Sequence, residues 1–158
     1  MQKSEKTTLS GKWKFIIQEE NGNTRIIEKT NVLPTVGRVA MAKQLAGTNT
    51  TVMGDNLYIA CGNDATAPVV ADTVLGNETT RKAVSSATNL SVVGIISTFF
   101  AVGEATGTHQ EFGLFGDGDA STASASADTG ILYSHVTQAV TISATETLTV
   151  EFSINFAV

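Results

Sequence analysis

From Thr147 almost to the last residue, polar and apolar side chains alternate. Leu148, Val150, Phe152, Ile154, Phe156 and Val158 fall on one side, and Thr147, Thr149, Glu151, Ser153 and Asn155 on the other. A period of two is that of a β-strand with one face buried, and an α-helix of this sequence would bury nothing. Such a strand needs a second layer to cover its apolar face, so the chain must supply more strands or another subunit must.

The rest of the chain supplies them. "KWKFIIQE" and "TRIIEKTNV" flank "ENGN", and Asn21-Gly22 is a strong short-range hairpin signal. Trp13, Phe15 and Ile17 share one face of the first of these strands, with Lys12, Lys14 and Gln18 on the other. Pro34 ends the hairpin, and "TVGRVAMAKQLAG" predicts one short helix over 35–46, with Thr35 as N-cap and Gly47 as its stop. Val36, Val39, Ala40, Lys43 and Gln44 fall at helical spacing, and Met41, Leu45 and Ala46 add apolar surface. From Leu57 onward the pattern is strand and turn: "NLYIACG", then "TRKAVSSAT" paired with "SVVGIISTFFAV" across a turn near Asn89, then "HQEFGLFG", "ILYSHVTQAV" and the closing strand. "SVVGIISTFFAV" is apolar on both faces, as in a central strand or one covered by another subunit. The expected fold is mainly β. It is an antiparallel β-sandwich of Greek-key or jelly-roll type with an N-terminal hairpin at 12–32, the helix, and a sandwich over 56–158, all in one domain at 11–158 after a polar arm at 1–10.

Charge is sparse and unevenly placed. Residues 1–43 hold eight Lys and Arg against four Glu (8 − 4 = +4), and the remainder holds Arg81 and Lys82 against eleven acids (2 − 11 = −9), which sum to the net −5. Opposite-signed parts suit head-to-tail attraction between copies or a basic face for an acidic partner, and a chance distribution fits as well. Basic residues not clustered with aromatics, in an acidic chain, argue against nucleic acid. The longest apolar run is broken by Gly94, Ser97 and Thr98 and is too short to span a bilayer, which argues against a membrane. The start "MQKSEKTTLSGKW" has no apolar leader segment, so synthesis in a cytoplasm is expected. A single cysteine, Cys61, cannot form an internal disulfide or a multi-cysteine zinc site; it reads as a small core residue.

Two stretches carry side chains with possible chemistry. His109 and Glu111 share a face of a regular strand, and His135 in "YSHVT" can join them in a zinc site if the two strands pair. Nothing in the spacing selects that over surface or interface residues. "GDGDASTASASADTG" offers Asp117, Asp119 and Asp128 to calcium, but no closing Glu arrives, and an exposed loop at 116–130 is the better reading. No phosphate loop, nucleophile elbow or paired catalytic acids can be discerned, so no enzyme is expected, and no cofactor.

In order, "NLYIACGNDATAP", "DTVLGNETTRKAV", the long apolar strand, "HQEFGLFGDG", a variable loop, "GILYSHV" and "ETLTVEFSINF" resemble small β-rich virion proteins of tailed bacteriophages, including the domain of tail-collar and tail-fibre proteins. The resemblance covers about residues 31–156. It implies that Glu111, Gly113, Leu114 and Phe115 are a structural signature. Phe112 and Leu114 would then share a strand face with Phe115 opposite, Gly113 would admit a close neighbour, and Glu111 would pair with Arg81 or be solvated.

The resemblance implies a non-enzymatic subunit of the virion, assembled in the host cytoplasm as symmetric copies, with a homotrimer expected. It would be placed on the tail, collar or baseplate, or alternatively on the head as a capsid decoration protein. Its contacts to other virion proteins would run through Lys3, Lys6, Lys12, Trp13 and Lys14. A carbohydrate-binding sandwich is the alternative of another class.

Overall fold

Alternation in "SGKWKFIIQ" puts Trp13, Phe15 and Ile17 out of solvent entirely on β1 (Ser10–Gln18), and they seed the core. The computed structural model describes residues 9–49, 51–119 and 121–156. β1 turns into β2 (Thr24–Thr30), followed by α1 (Thr35–Leu45), β3 (Tyr58–Gly62), β4 (Glu78–Ala83), β5 (Ser86–Leu90), β6 (Val93–Phe100), β7 (Gly107–Gly116), β8 (Ile131–Ile142) and β9 (Thr147–Asn155). They form two antiparallel sheets, a five-stranded one ordered β2-β1-β9-β6-β5 and a four-stranded one ordered β4-β3-β7-β8, packed as a β-sandwich. Among the described residues no helix is long and apolar enough to cross a membrane.

The N-terminal hairpin is part of the sandwich, because β1 pairs along its whole length with β9. In the hairpin loop, Glu19 N–H donates to Asn23 O and Gly22 N–H to Glu19 O, with Gly22 at φ +86°. The Asn-Gly signal thus marks a three-residue loop whose left-handed position needs glycine. Trp13 belongs to the core and is no interface residue. Its ring lies 5.4 Å from Phe152 and 6.5 Å from Phe112, and Phe15 lies 4.5 Å from Phe112. The interface expectation for Lys3 and Lys6 falls outside the described residues. Lys12 and Lys14 do lie on the outer face of β1, Lys12 paired with Glu28 at 2.6 Å.

Three local expectations are corrected. The helix is capped at Pro34 with no side-chain hydrogen bond, so Thr35 is its first residue rather than its N-cap, while Gly47 at φ +67° stops it as expected. Its buried side is Gly37 and Ala40, against β8; Val39 and Leu45 face water, Leu45 at 89% exposure. "TRKAVSSAT" is not one strand. It breaks at Val84-Ser85, so that β4 pairs with β3 in one sheet and β5 with β6 in the other. Two residues carry the chain across the sandwich there, a step that hydropathy does not mark.

β9 behaves as its alternation predicts over Leu148, Val150 and Phe152, all buried, while Phe156 beyond its end is 52% exposed. Val158 falls outside the described residues.

Candidate functional site

The strongest concentration of buried polar groups lies on the outer side of the four-stranded sheet, where β7 and β8 meet the segment 63–77. Glu111 on β7 is 1% exposed. Its Oε1 accepts the backbone N–H of Asn77 at 2.7 Å and of Asp64 at 3.3 Å; its Oε2 accepts that of Gly76 at 2.9 Å and faces His135 Nε2 at 3.1 Å. The other ring nitrogen, Nδ1, faces Asp72 Oδ2 at 2.8 Å. Ionised carboxylates only accept, so both contacts are hydrogen bonds together only in the imidazolium form. Asp72 in turn accepts from Val69 N–H, and the Thr66 hydroxyl and N–H hold the Asp64 carboxyl below the usual carboxylate range. A cleft of about 440 Å³ opens over this cluster.

Close packing builds the site. A Cβ at Gly76 would lie 2.1 Å from Asp64 Oδ2, so only glycine lets its amide reach Glu111. Gly113 has the close neighbours expected of it, with Leu75 and Leu132 within 3.0 Å of where its Cβ would stand. Phe112 and Leu114 join the main core, and Phe115 lies on the opposite side with Ala60, Leu75 and Leu132.

Glu111 neither pairs with Arg81 nor meets solvent. Arg81, on the edge strand β4, makes a bidentate pair with Glu78 at 2.5 and 2.6 Å, both side chains almost fully buried. Its guanidinium lies 4.4 Å from the Phe115 ring centroid and donates to Ser124 O, Thr129 O and Thr129 Oγ1. That clamp corrects the exposed-loop reading of 116–130. Asp117 is buried, accepting from Asn56 Nδ2 and Ala123 N–H, and its backbone O accepts the Tyr133 hydroxyl at 2.6 Å. Asp119 and Asp128 are exposed as expected, at φ +45° and +59°, and Asp119 pairs with Lys43. The Asp117 and Asp119 carboxylates turn to different partners, so they do not converge on one ion.

His109 does not join Glu111 and His135. The pairing of β7 with β8 shifts register between His109 and Glu111, and the His109 ring bonds to Ala105 O at 3.0 Å and stands edge-on to Phe112. Among the described residues no group of three His, Cys, Asp or Glu is placed to hold a metal. Cys61 is buried, and burial pushes its thiol well above the ordinary range, which leaves it a poor nucleophile.

Asp72, Asp64 and Glu78 are the site residues that sequence reasoning missed. Glu78-x-x-Arg81 was the one available signal, an acid three residues before a base at the start of a predicted strand. Nothing in "NDATAPVVADTVLGN" marks Asp72 as a partner of a histidine 63 residues away. Glu111 is itself saturated, since its two oxygens accept three backbone amides and meet one imidazole. No family model, curated protein or solved structure matches the chain. Fold and site together define a β-sandwich whose buried charges tie its long loops to its sheets.

Proposed function

We propose that this chain is a non-enzymatic structural subunit of a tailed-phage virion, working by packing against copies of itself and neighbouring virion proteins. The observation that carries the reading is the placement of surplus apolar surface. Leu90 is 72% exposed and, with Val92 and Phe156, stands at one end of the five-stranded sheet. Phe156 N–H bonds to Val92 O there, beside an apolar cleft of about 420 Å³ lined by Met41, Met53, Ile96 and Ile154 among others. Contiguous exposed apolar surface of this kind favours association. A tail, collar or baseplate position is the placement proposed, with contacts to the particle through the N-terminal residues.

The test is incorporation. Particles assembled with a chain lacking residues 1–10 should carry markedly fewer copies than those assembled with the full chain, while the truncated protein keeps its melting temperature. Equal occupancy would sink the proposal. Light scattering at two salt concentrations tests self-assembly on its own, and a salt-insensitive monomer counts against it.

A further inference from the structure

The outer face of the five-stranded sheet carries a pattern that only the strand register reveals. One transverse row reads Ile26, Ile16, Thr149 and Phe99 across β2, β1, β9 and β6. The next row reads Glu28, Lys14, Glu151 and Ser97. The helix packs on β8 of the other sheet, so it does not cover this face. Ile26 is 57% and Phe99 47% exposed, and the core cluster includes neither of them nor Ile16. Lys14 and Glu151 stand directly opposite each other on β1 and β9 yet form no ion pair among the described residues. Glu28, the other acid beside Lys14, is already paired with Lys12.

We infer that this face is a two-fold contact surface for a second copy of the chain. Consider a two-fold axis in the contact plane, parallel to the strands and midway between β1 and β9. It lays Lys14 of one copy over Glu151 of the other, and Glu151 over Lys14. The same rotation lays Ile26 over Phe99 and Ile16 over Thr149, because β2 and β6 are equally far from the axis. Ile26, Phe99 and Thr149 thus meet an apolar neighbour and Lys14 and Glu151 an opposite charge, while Ile16, Glu28 and Ser97 do not. An isologous interface requires such self-complementarity. Four strands spaced about 4.8 Å apart and about 30 Å long offer on the order of 600 Å² per copy, the lower end of specific interfaces. β5 has no counterpart across the axis and overhangs, which leaves Leu90 for other contacts.

This contact rests on the self-assembly part of the proposed function, but it is tested on purified protein without any particle. Failure here leaves the incorporation experiment standing, and the reverse also holds. A two-fold contact alone makes a dimer, and combined with a three-fold contact it makes a hexamer. The full chain should therefore show an even copy number by sedimentation at micromolar to millimolar concentration; a monomer or a bare trimer overturns the inference.

Lys14→Glu should weaken pairing about ten-fold or more by setting acid against acid. The swap Lys14→Glu with Glu151→Lys should restore it, and failure to restore overturns this geometry even if the protein is dimeric. Phe99→Lys is the control for folding. Its side chain is outside the core, so its melting temperature measured under dissociating dilution should match wild type while the even-numbered species is lost. Retention of that species by Phe99→Lys also overturns the inference.

Discussion

Trp13 Nε1 donates to Ser134 Oγ at 2.8 Å, a buried hydrogen bond that joins β1 of one sheet to β8 of the other through the middle of the sandwich. The Asn31 side-chain amide donates to the same oxygen, so the hydroxyl is the junction of the hairpin, its exit and the second sheet. Trp13→Phe keeps most of the ring and removes the donor. The expected loss is on the order of 2 kcal/mol, part hydrogen bond and part cavity, read as a lower urea midpoint with unchanged m-value.

Glu111 tests whether the polar cluster holds segment 63–77 in place. Glu111→Gln preserves shape but turns one acceptor into a donor that faces either the Gly76 amide or those of Asn77 and Asp64. About 3 kcal/mol should be lost, with faster amide exchange confined at first to 63–77. Unchanged exchange there would show that the loop is held by other contacts.

Arg81 clamps the 116–130 loop through a planar fork and a ring stack, which lysine cannot reproduce. Arg81→Lys leaves Ser124 O and Thr129 O without their donor and Glu78 with a poorer partner. Limited proteolysis should then cut between 121 and 130 at a rate the wild type does not approach, and stability should fall by roughly 3 kcal/mol.

Thr98 points into the core on β6 with a fully buried hydroxyl that has no hydrogen-bond partner. Thr98→Val replaces that oxygen with a methyl group of nearly the same shape. The melting temperature should rise, corresponding to a gain of about 1 kcal/mol. A fall would mean that the hydroxyl is satisfied in solution.

Two groups give the stability curve opposite limbs. Ser143 N–H and Arg25 hold the Glu146 carboxyl below its ordinary range, so its contribution is complete above the usual carboxylate value and disappears as pH falls through the lowered one. Burial, with the Asp117 charge adding to it, pushes the Tyr133 hydroxyl up to about 12, so its contribution is complete below about 10 and disappears as pH rises toward 12. Thermal melts across pH should show the gap between wild type and Glu146→Gln closing on the acid side. The gap to Tyr133→Phe should close on the alkaline side.

The alternations in "SGKWKFIIQ" and "TLTVEFSIN" determined by themselves which faces of β1 and β9 are buried, because a period of two leaves a strand one apolar side and no choice. The glycines at 22 and 47 likewise announced their turns through a backbone conformation that other residues resist. What the tertiary structure alone decided is who meets whom. Placing Trp13 in the core rather than at an interface required β7 and β8 of the other sheet to close over β1. Tying Glu111 to His135 and Asp72 instead of Arg81 required the 63–77 segment to fold back over β7 and β8. Burying Asp117 required Arg81 to hold the loop beyond it. Spacing along a chain reports the faces of single elements, whereas the partner of a buried charge is chosen by desolvation among groups that only the packed sheets bring together.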